Sequence, residues 1–130
     1  MRHLTPNEVN TFLQQTPEAL FIDVRSEIEY FFVGHPVGVE HISWSDGPDW
    51  EINPDFVQHV ARLVGDGLQR PVVVICRCGR RSVEAAQALE AAGFADVINV
   101  LHGFEGDRDE RHHRNTRNGW RVDGLPWEQS

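Results

Sequence analysis

Four consecutive β-branched residues, Val72-Val73-Val74-Ile75, run straight into Cys76-Arg77-Cys78-Gly79-Arg80-Arg81-Ser82, and no other stretch leaves the chain so little choice of environment. A strand turns successive side chains to opposite faces, so a strand without a polar position is buried on both. Central strands of parallel sheets, covered by helices above and below, meet that demand. Three more short apolar runs, 19–24, 40–44 and 97–101, alternate with stretches of helical period. The expected fold class is therefore α/β, with a mostly parallel central sheet and helices on both faces. A length of 130 residues accommodates one such core.

Helix starts are legible. Thr5-Pro6-Asn7-Glu8 reads as a capping box, with Thr5 at the N-cap, Pro6 at the first helical position and Glu8 reaching back. Val9, Phe12 and Leu13 then share a face. Ser26-Glu27-Ile28-Glu29 repeats the box ahead of a short helix carrying Ile28, Phe31 and Phe32. Asn53-Pro54 opens a third helix with the stripe Phe56, Val57, Val60, Leu63 and Val64. A fourth is expected from about Arg81-Ser82 through Ala85, Ala86 and Leu89, stopping at Gly93. From Gly103 the composition turns to Gly, Asp, Arg, His and Asn without an apolar period. The division expected is a domain over residues 1–106 and a tail over 107–130, extended or partly helical, pinned to the domain by Trp120 and Trp127.

Composition excludes several functions. The longest apolar run, Val72–Cys76, is far below the ~20 residues that span a bilayer. The opening Met1-Arg2-His3-Leu4-Thr5-Pro6 has no apolar core or cleavage site of a secretory signal. All 12 basic side chains are arginine, against 20 acidic residues and a net charge of −8, so neither nucleic acid nor an anionic membrane is an expected partner. Cys76 and Cys78 stand too close in sequence to staple distant parts of a fold, so free thiols in a reducing cytoplasm are expected. His112-His113 with the two cysteines matches no zinc spacing. The charged run Asp107–Arg114 reads as a solvated face.

The chemistry concentrates after the central strand. In a parallel α/β sheet the ligand site lies beyond the carboxyl ends of the strands. Three such ends are polar here: Asp23-Val24-Arg25, Ser43-Trp44-Ser45-Asp46 and the Cys76 loop. A short turn from Cys76 into a helix aims backbone N–H groups inward, and the helix N-terminus adds partial positive charge. Gly79 supplies a residue free to take a positive φ. With Arg77, Arg80 and Arg81 around it, a thiol at position 76 is expected to ionise easily and act as a nucleophile toward something anionic.

Cys76-Arg77-Cys78-Gly79-Arg80-Arg81-Ser82 resembles the active-site loop of the rhodanese (sulfurtransferase) family, written C-R-x-G-x-R-S. Phe21-Ile22-Asp23-Val24-Arg25 resembles the family's early D-x-R strand end, and Gly34-His35-Pro36-Val37-Gly38-Val39-Glu40-His41-Ile42 its G-H-I-P-G-A-x-x-I segment. Asn99-Val100-Leu101-His102-Gly103-Phe104-Glu105-Gly106 falls where the family has its last strand and a G-G-[FW] turn. Together these span roughly Thr5 to Gly106. Pro36-Val37 and Val39 depart from the family pattern, His102 replaces the first glycine of the late turn, and Cys78 places a second thiol at a variable loop position.

The resemblance implies a persulfide-forming sulfurtransferase. Cys76 would be the catalytic nucleophile; Arg77, Cys78, Gly79, Arg80, Arg81 and Ser82 would bind substrate and the persulfide anion. Arg81 is expected to meet loop carbonyls or a carboxylate, Asp23 and Arg25 to support the site, and Glu105 to partner one of the arginines. His35 and His41 are expected in hydrogen-bonded structural roles. The loop is C-x4-R, resembling sulfurtransferases; the related phosphatases and arsenate reductases carry C-x5-R, a wider cradle suited to a dianion. The implied partners are a small anionic sulfur donor and a thiol or sulfur-carrier acceptor, with no metal or organic cofactor. Two alternatives stand beside this: a binding or regulatory module without turnover, and a thiol redox protein that pairs Cys76 with Cys78.

Overall fold

The computed structural model describes residues 1–129. The chain opens with β1 (Arg2–Leu4), α1 (Pro6–Gln15) and β2 (Leu20–Asp23). A π-helical turn (Glu29–Val33) leads to the short strands β3 (His35–Pro36), β4 (Glu40–His41), β5 (Ser45–Asp46) and β6 (Glu51–Ile52). Then come α2 (Phe56–Val64), β7 (Val72–Ile75), α3 (Arg80–Ala91), β8 (Val97–Val100) and β9 (Trp127–Glu128). The main sheet runs β1-β8-β7-β2-β4 with every pairing parallel. The run of four β-branched residues is its middle strand, completely buried as its composition requires.

Alternation along the strands splits the core in two. Leu20, Ile22, Val72, Val74 and Val97 face α2 and α3, where they meet Phe56, Val60, Ala85, Ala86 and Leu89. Phe21, Val73, Ile75, Ile98 and Val100 face the other way, onto Val9 of α1 and onto Phe104, Trp120 and Leu125. Trp120 therefore belongs to a core layer, packed 5.4 Å from Phe21 by ring centroids, and its Nε1 donates to Pro126 O. Residues after Gly106 wrap the sheet as successive turns without a helix and end in β9, paired antiparallel with β3. Trp127 is only partly covered, but Arg121 lies between it and Phe104, 4.9 and 5.3 Å from the two ring centroids.

Local signals and structure agree at the caps. Thr5 Oγ1 accepts from the Glu8 amide at 3.3 Å, and the Glu8 carboxylate accepts from the Thr5 amide at 2.9 Å. Gly93, with φ +98°, follows the end of α3. Two expectations fail. Leu63 is left exposed, because α2 buries only the stripe Phe56, Val60 and Val64. Ile28, Phe31 and Phe32 are also exposed, although Ser26 and Glu29 exchange their capping hydrogen bonds. The turn Glu29–Val33 is π-helical, and Phe31 and Phe32 on it are left in solvent together with Ile28. Tyr30 turns inward instead, stacked between His35 and His41 at centroid distances of 4.0 and 4.5 Å.

Candidate active site

β7 ends one residue before Cys76, and α3 begins at Arg80, so the connecting loop is short enough to fold over a single sulfur. Gly79 takes φ +100°, a conformation that costs an L side chain strain, and this turns its N–H onto Cys76 Sγ at 3.1 Å. Ser82, on the first turn of α3, brings its Oγ within 3.3 Å of the same sulfur. Ser82 Oγ in turn donates to Asn99 Oδ1 at 2.5 Å. Cys76 is fully buried; Cys78 is partly exposed, and both thiols are free.

The late turn locks this loop from behind. Phe104 N donates to Cys76 O, and the amides of Glu105 and Gly106 both donate to Arg77 O. Gly103 comes so near that any side chain there would run into the Cys76 and Arg77 backbone. His102 occupies a positive φ of 68°, which accounts for glycine in the family pattern at this position.

Two ion pairs flank the loop. Arg25 binds Asp23 through Nε and Nη2, the shortest contact being 2.6 Å, and both side chains have no exposed surface. Arg25 Nη2 also donates to Gly34 O, and its guanidinium carbon lies 4.5 Å from the Phe104 ring centroid. Its Nη1 is buried without a hydrogen-bond partner. The second pair is a two-point fork: Arg81 Nη1 and Nη2 donate to the two Glu29 oxygens at 2.7 and 2.9 Å. Burial alone would raise the Glu29 carboxyl, but hydrogen bonds and charge from Arg81, with help from Ser26, hold it down at about 2. For Arg81, burial works against the charge and Glu29 outweighs it, with smaller support from Cys76 and Cys78, so its affinity for the proton is raised.

In front of the loop lies a cleft of about 1300 Å³. Ser26, Ile28, Glu29 and Val33 form one wall, and Asp46, Gly47, Pro48 and Trp50 form another. Its floor is Arg77, Cys78, Arg80 and Arg81, with Glu84 of α3 beside them, while Glu105, His112, His113, Arg114 and Asn115 close the far side. Of the expected site residues, Arg77, Cys78, Arg80, Arg81 and Glu105 line this cleft, whereas Asp23, Arg25, Cys76, Gly79 and Ser82 do not. Glu105 lines the cleft, but no arginine lies within ion-pairing distance of it among the described residues, because Arg81 is taken by Glu29 and Arg25 by Asp23. His35 and His41 bond to the carbonyls of Pro36 and Arg25.

Sequence reasoning overlooked several contributors. Glu29 was visible only as a capping residue, and Trp50, 5.7 Å from the Arg81 guanidinium by its ring centroid, carried no local signal. The run Asp107–Arg114 is a solvated face as expected, with only Asp109 and Arg114 partly covered, and it turns on Asp109, which accepts from the amides of Arg111 and His113 and from Thr116 Oγ1. Asn99 had one available clue, a polar residue within an otherwise apolar strand, Val97-Ile98-Asn99-Val100.

A buried thiol at the junction of a central parallel strand and a helix N-terminus, held by a tight arginine-rich loop, is an arrangement suited to holding an anion at the sulfur. Residues 5–110 match the family model described as a rhodanese-like domain, and the chain belongs to that family. It is 32% identical over 100 residues to the thiosulfate sulfurtransferase GlpE of Pseudomonas putida, covering 77% of this chain and 79% of that protein. An uncharacterized protein of Rickettsia conorii is 25% identical over 131 residues, covering 98% of each chain. The crystal structure of Rv0390 from M. tuberculosis superposes with a TM-score of 0.87 at 37% identity, covering 100% of this chain and 98% of that one. No helix among the described residues is long and apolar enough to cross a membrane.

Proposed function

We propose that this protein transfers a sulfane sulfur from a small anionic donor to a thiol or cyanide acceptor through a persulfide on Cys76. The observation that carries the reading is the Gly79 N–H aimed at Cys76 Sγ where α3 begins, a donor in place for a sulfur anion. In the first step the Cys76 thiolate attacks the outer sulfur of thiosulfate. The S–S bond of the donor breaks, sulfite leaves with its electron pair, and a Cys76 persulfide forms. In the second step the acceptor attacks the outer sulfur of that persulfide. Cyanide leaves as thiocyanate, or a thiol leaves as its own persulfide, and the Cys76 thiolate is restored. Arg77 and Arg80 on the cleft floor suit an anionic donor, while Arg81, held by Glu29, keeps the loop in shape.

One observation favours the binding-module alternative: Cys76 has no exposed surface, whereas the thiol that opens on the cleft is that of Cys78. The test is the intact mass of the reduced protein after thiosulfate, mercaptopyruvate or a persulfide donor, with the adduct mapped by peptide. One added sulfur on Cys76, removed by cyanide with thiocyanate formed, is the expected result. Cys76→Ser should abolish it and Cys78→Ser should leave a substantial part. A bare Cys76 with all three donors overturns sulfur transfer in favour of binding. Accumulation of a Cys76–Cys78 disulfide under mild oxidant would favour the redox reading.

A further inference from the structure

Asn99 is a polar side chain, 1% exposed, in the middle of β8, with apolar neighbours before and after it. A buried amide without partners destabilises a sheet, so its bonds define its role. Its Oδ1 accepts from Ser82 Oγ at 2.5 Å, and its Nδ2 lies 3.2 Å from His3 Nδ1. His3 stands directly beside Asn99 in the parallel register of β1 and β8, and it is exposed. With Ser82 Oγ 3.3 Å from Cys76 Sγ, an unbroken chain of hydrogen bonds links the buried thiol to an exposed imidazole at the far edge of the sheet.

Such a chain has a direction, because a hydroxyl has one proton to donate. As drawn, Ser82 gives its proton to Asn99, and Asn99 gives an amide proton to an unprotonated His3 Nδ1. Ser82 then has only lone pairs for Cys76, which suits a thiol that donates S–H and cannot serve a thiolate. If Nδ1 of His3 carries a proton, the Asn99 amide must turn over. Its oxygen accepts from His3, its nitrogen donates to Ser82 Oγ, and the Ser82 proton is released toward the sulfur anion. The amide only rotates; the proton lost by Cys76 and the one gained by His3 are exchanged with solvent or substrate.

We propose that Asn99 is a positioning residue for the Cys76 nucleophile, and that His3, through Asn99 and Ser82, selects whether the loop favours the thiol or the sulfur anion. This rests on Cys76 being the nucleophile of the proposed reaction. Charged groups on the elements around β1 are engaged elsewhere. The N-terminal ammonium pairs with Glu90 of α3, Arg2 with Asp96 just before β8, and Glu8 of α1 with the Thr5 amide. By reciprocity the sulfur anion favours a proton on His3 Nδ1, in the imidazolium or in the Nδ1–H tautomer of the neutral ring, as much as that proton favours the anion.

The experiment follows thiolate formation by its ultraviolet absorbance across pH in a Cys78→Ser background, leaving one thiol in the protein. His3→Lys supplies a donor only and His3→Glu an acceptor only; both lie at an exposed edge. The Lys variant is expected to keep its thiolate to lower pH than the Glu variant, with titration midpoints about one pH unit apart, the size of one hydrogen bond to a charged group. Opposite charges at position 3 also act through space, so both variants are repeated with Asn99→Leu and, should that chain fold poorly, with Ser82→Ala. Collapse of the separation in the interrupted chain supports the proposal. An equal separation with and without Asn99, or none in either, overturns it. The readout needs no sulfur donor, so a protein that never forms a persulfide but shows the separation loses the transferase reading and keeps the chain.

Discussion

The two arginine–carboxylate pairs beside the Cys76 loop look alike on paper and differ in what surrounds them. Asp23–Arg25 is sealed: neither side chain is exposed, and Arg25 is also tied to Gly34 O and laid over Phe104. Glu29–Arg81 lies in the cleft wall, with 15% and 20% of its side chains exposed. Water can replace part of what either Glu29 or Arg81 would lose if its partner were removed. Nothing can do so for Asp23. The sealed pair is therefore a commitment of the fold, and the cleft pair shapes the site at modest cost to stability.

Removing Arg25 should have the largest effect. Arg25→Leu leaves the Asp23 carboxylate buried and unpaired, and urea unfolding should show a loss of about 3–5 kcal/mol. A loss below about 1 kcal/mol would erase the distinction between the pairs. Arg81→Ala should cost less, under about 2 kcal/mol, yet lower sulfur transfer by at least about tenfold as the loop loses its anchor. Measuring turnover and unfolding on the same preparation checks this; a stability loss equal to that of Arg25→Leu would mean that exposure is not what separates them.

Acid sharpens the contrast further. Glu29 titrates near 2, below its ordinary 4.5, so its contribution is complete above about pH 4.5 and is lost as pH falls toward about 2. The stability difference between the protein and Glu29→Gln should shrink across that window, as seen in urea midpoints taken at successive pH values. A difference unchanged down to pH 2 would show that the carboxylate charge is not the source. The smallest effect expected is at Phe104→Leu, which keeps apolar bulk but removes the ring beneath Arg25 and beside Arg121. About 1 kcal/mol should be lost by thermal or urea unfolding; no loss would leave the buried, unpartnered Nη1 of Arg25 without its compensating ring.

Much of this was legible in the residues because the relevant physics is local. The capping box at Thr5 and Glu8 needs only a turn of chain to form, and the double-faced burial of Val72–Ile75 follows from composition alone. The loop from Cys76 to Ser82 was legible for the same reason: its glycine, its arginines and its helix start lie within seven consecutive residues. Short strands were not. β1 and β9 have no apolar alternation, and they exist because neighbouring chain supplies their hydrogen bonds. The short helix expected to carry Ile28, Phe31 and Phe32 is wound as a π-helix over Glu29–Val33 and leaves all three exposed, and which side of it meets the core was set by the fold.

The residues by themselves settle the elements that close within a few positions: the helix starts, the central strand, and a cysteine leading into an arginine-rich turn. Which arginine does what was decided elsewhere. Arg25 and Arg81 are told apart by Phe104 and Glu29, and the surroundings of Cys76 include Asn99 and His3, which lie 23 residues after it and 73 before it in the chain. Those contacts depend on strand order and on how helices lie over the sheet, and no local spacing records either. Side chains of one type differ in function because burial removes water as the alternative partner, and burial is a property of the assembled fold.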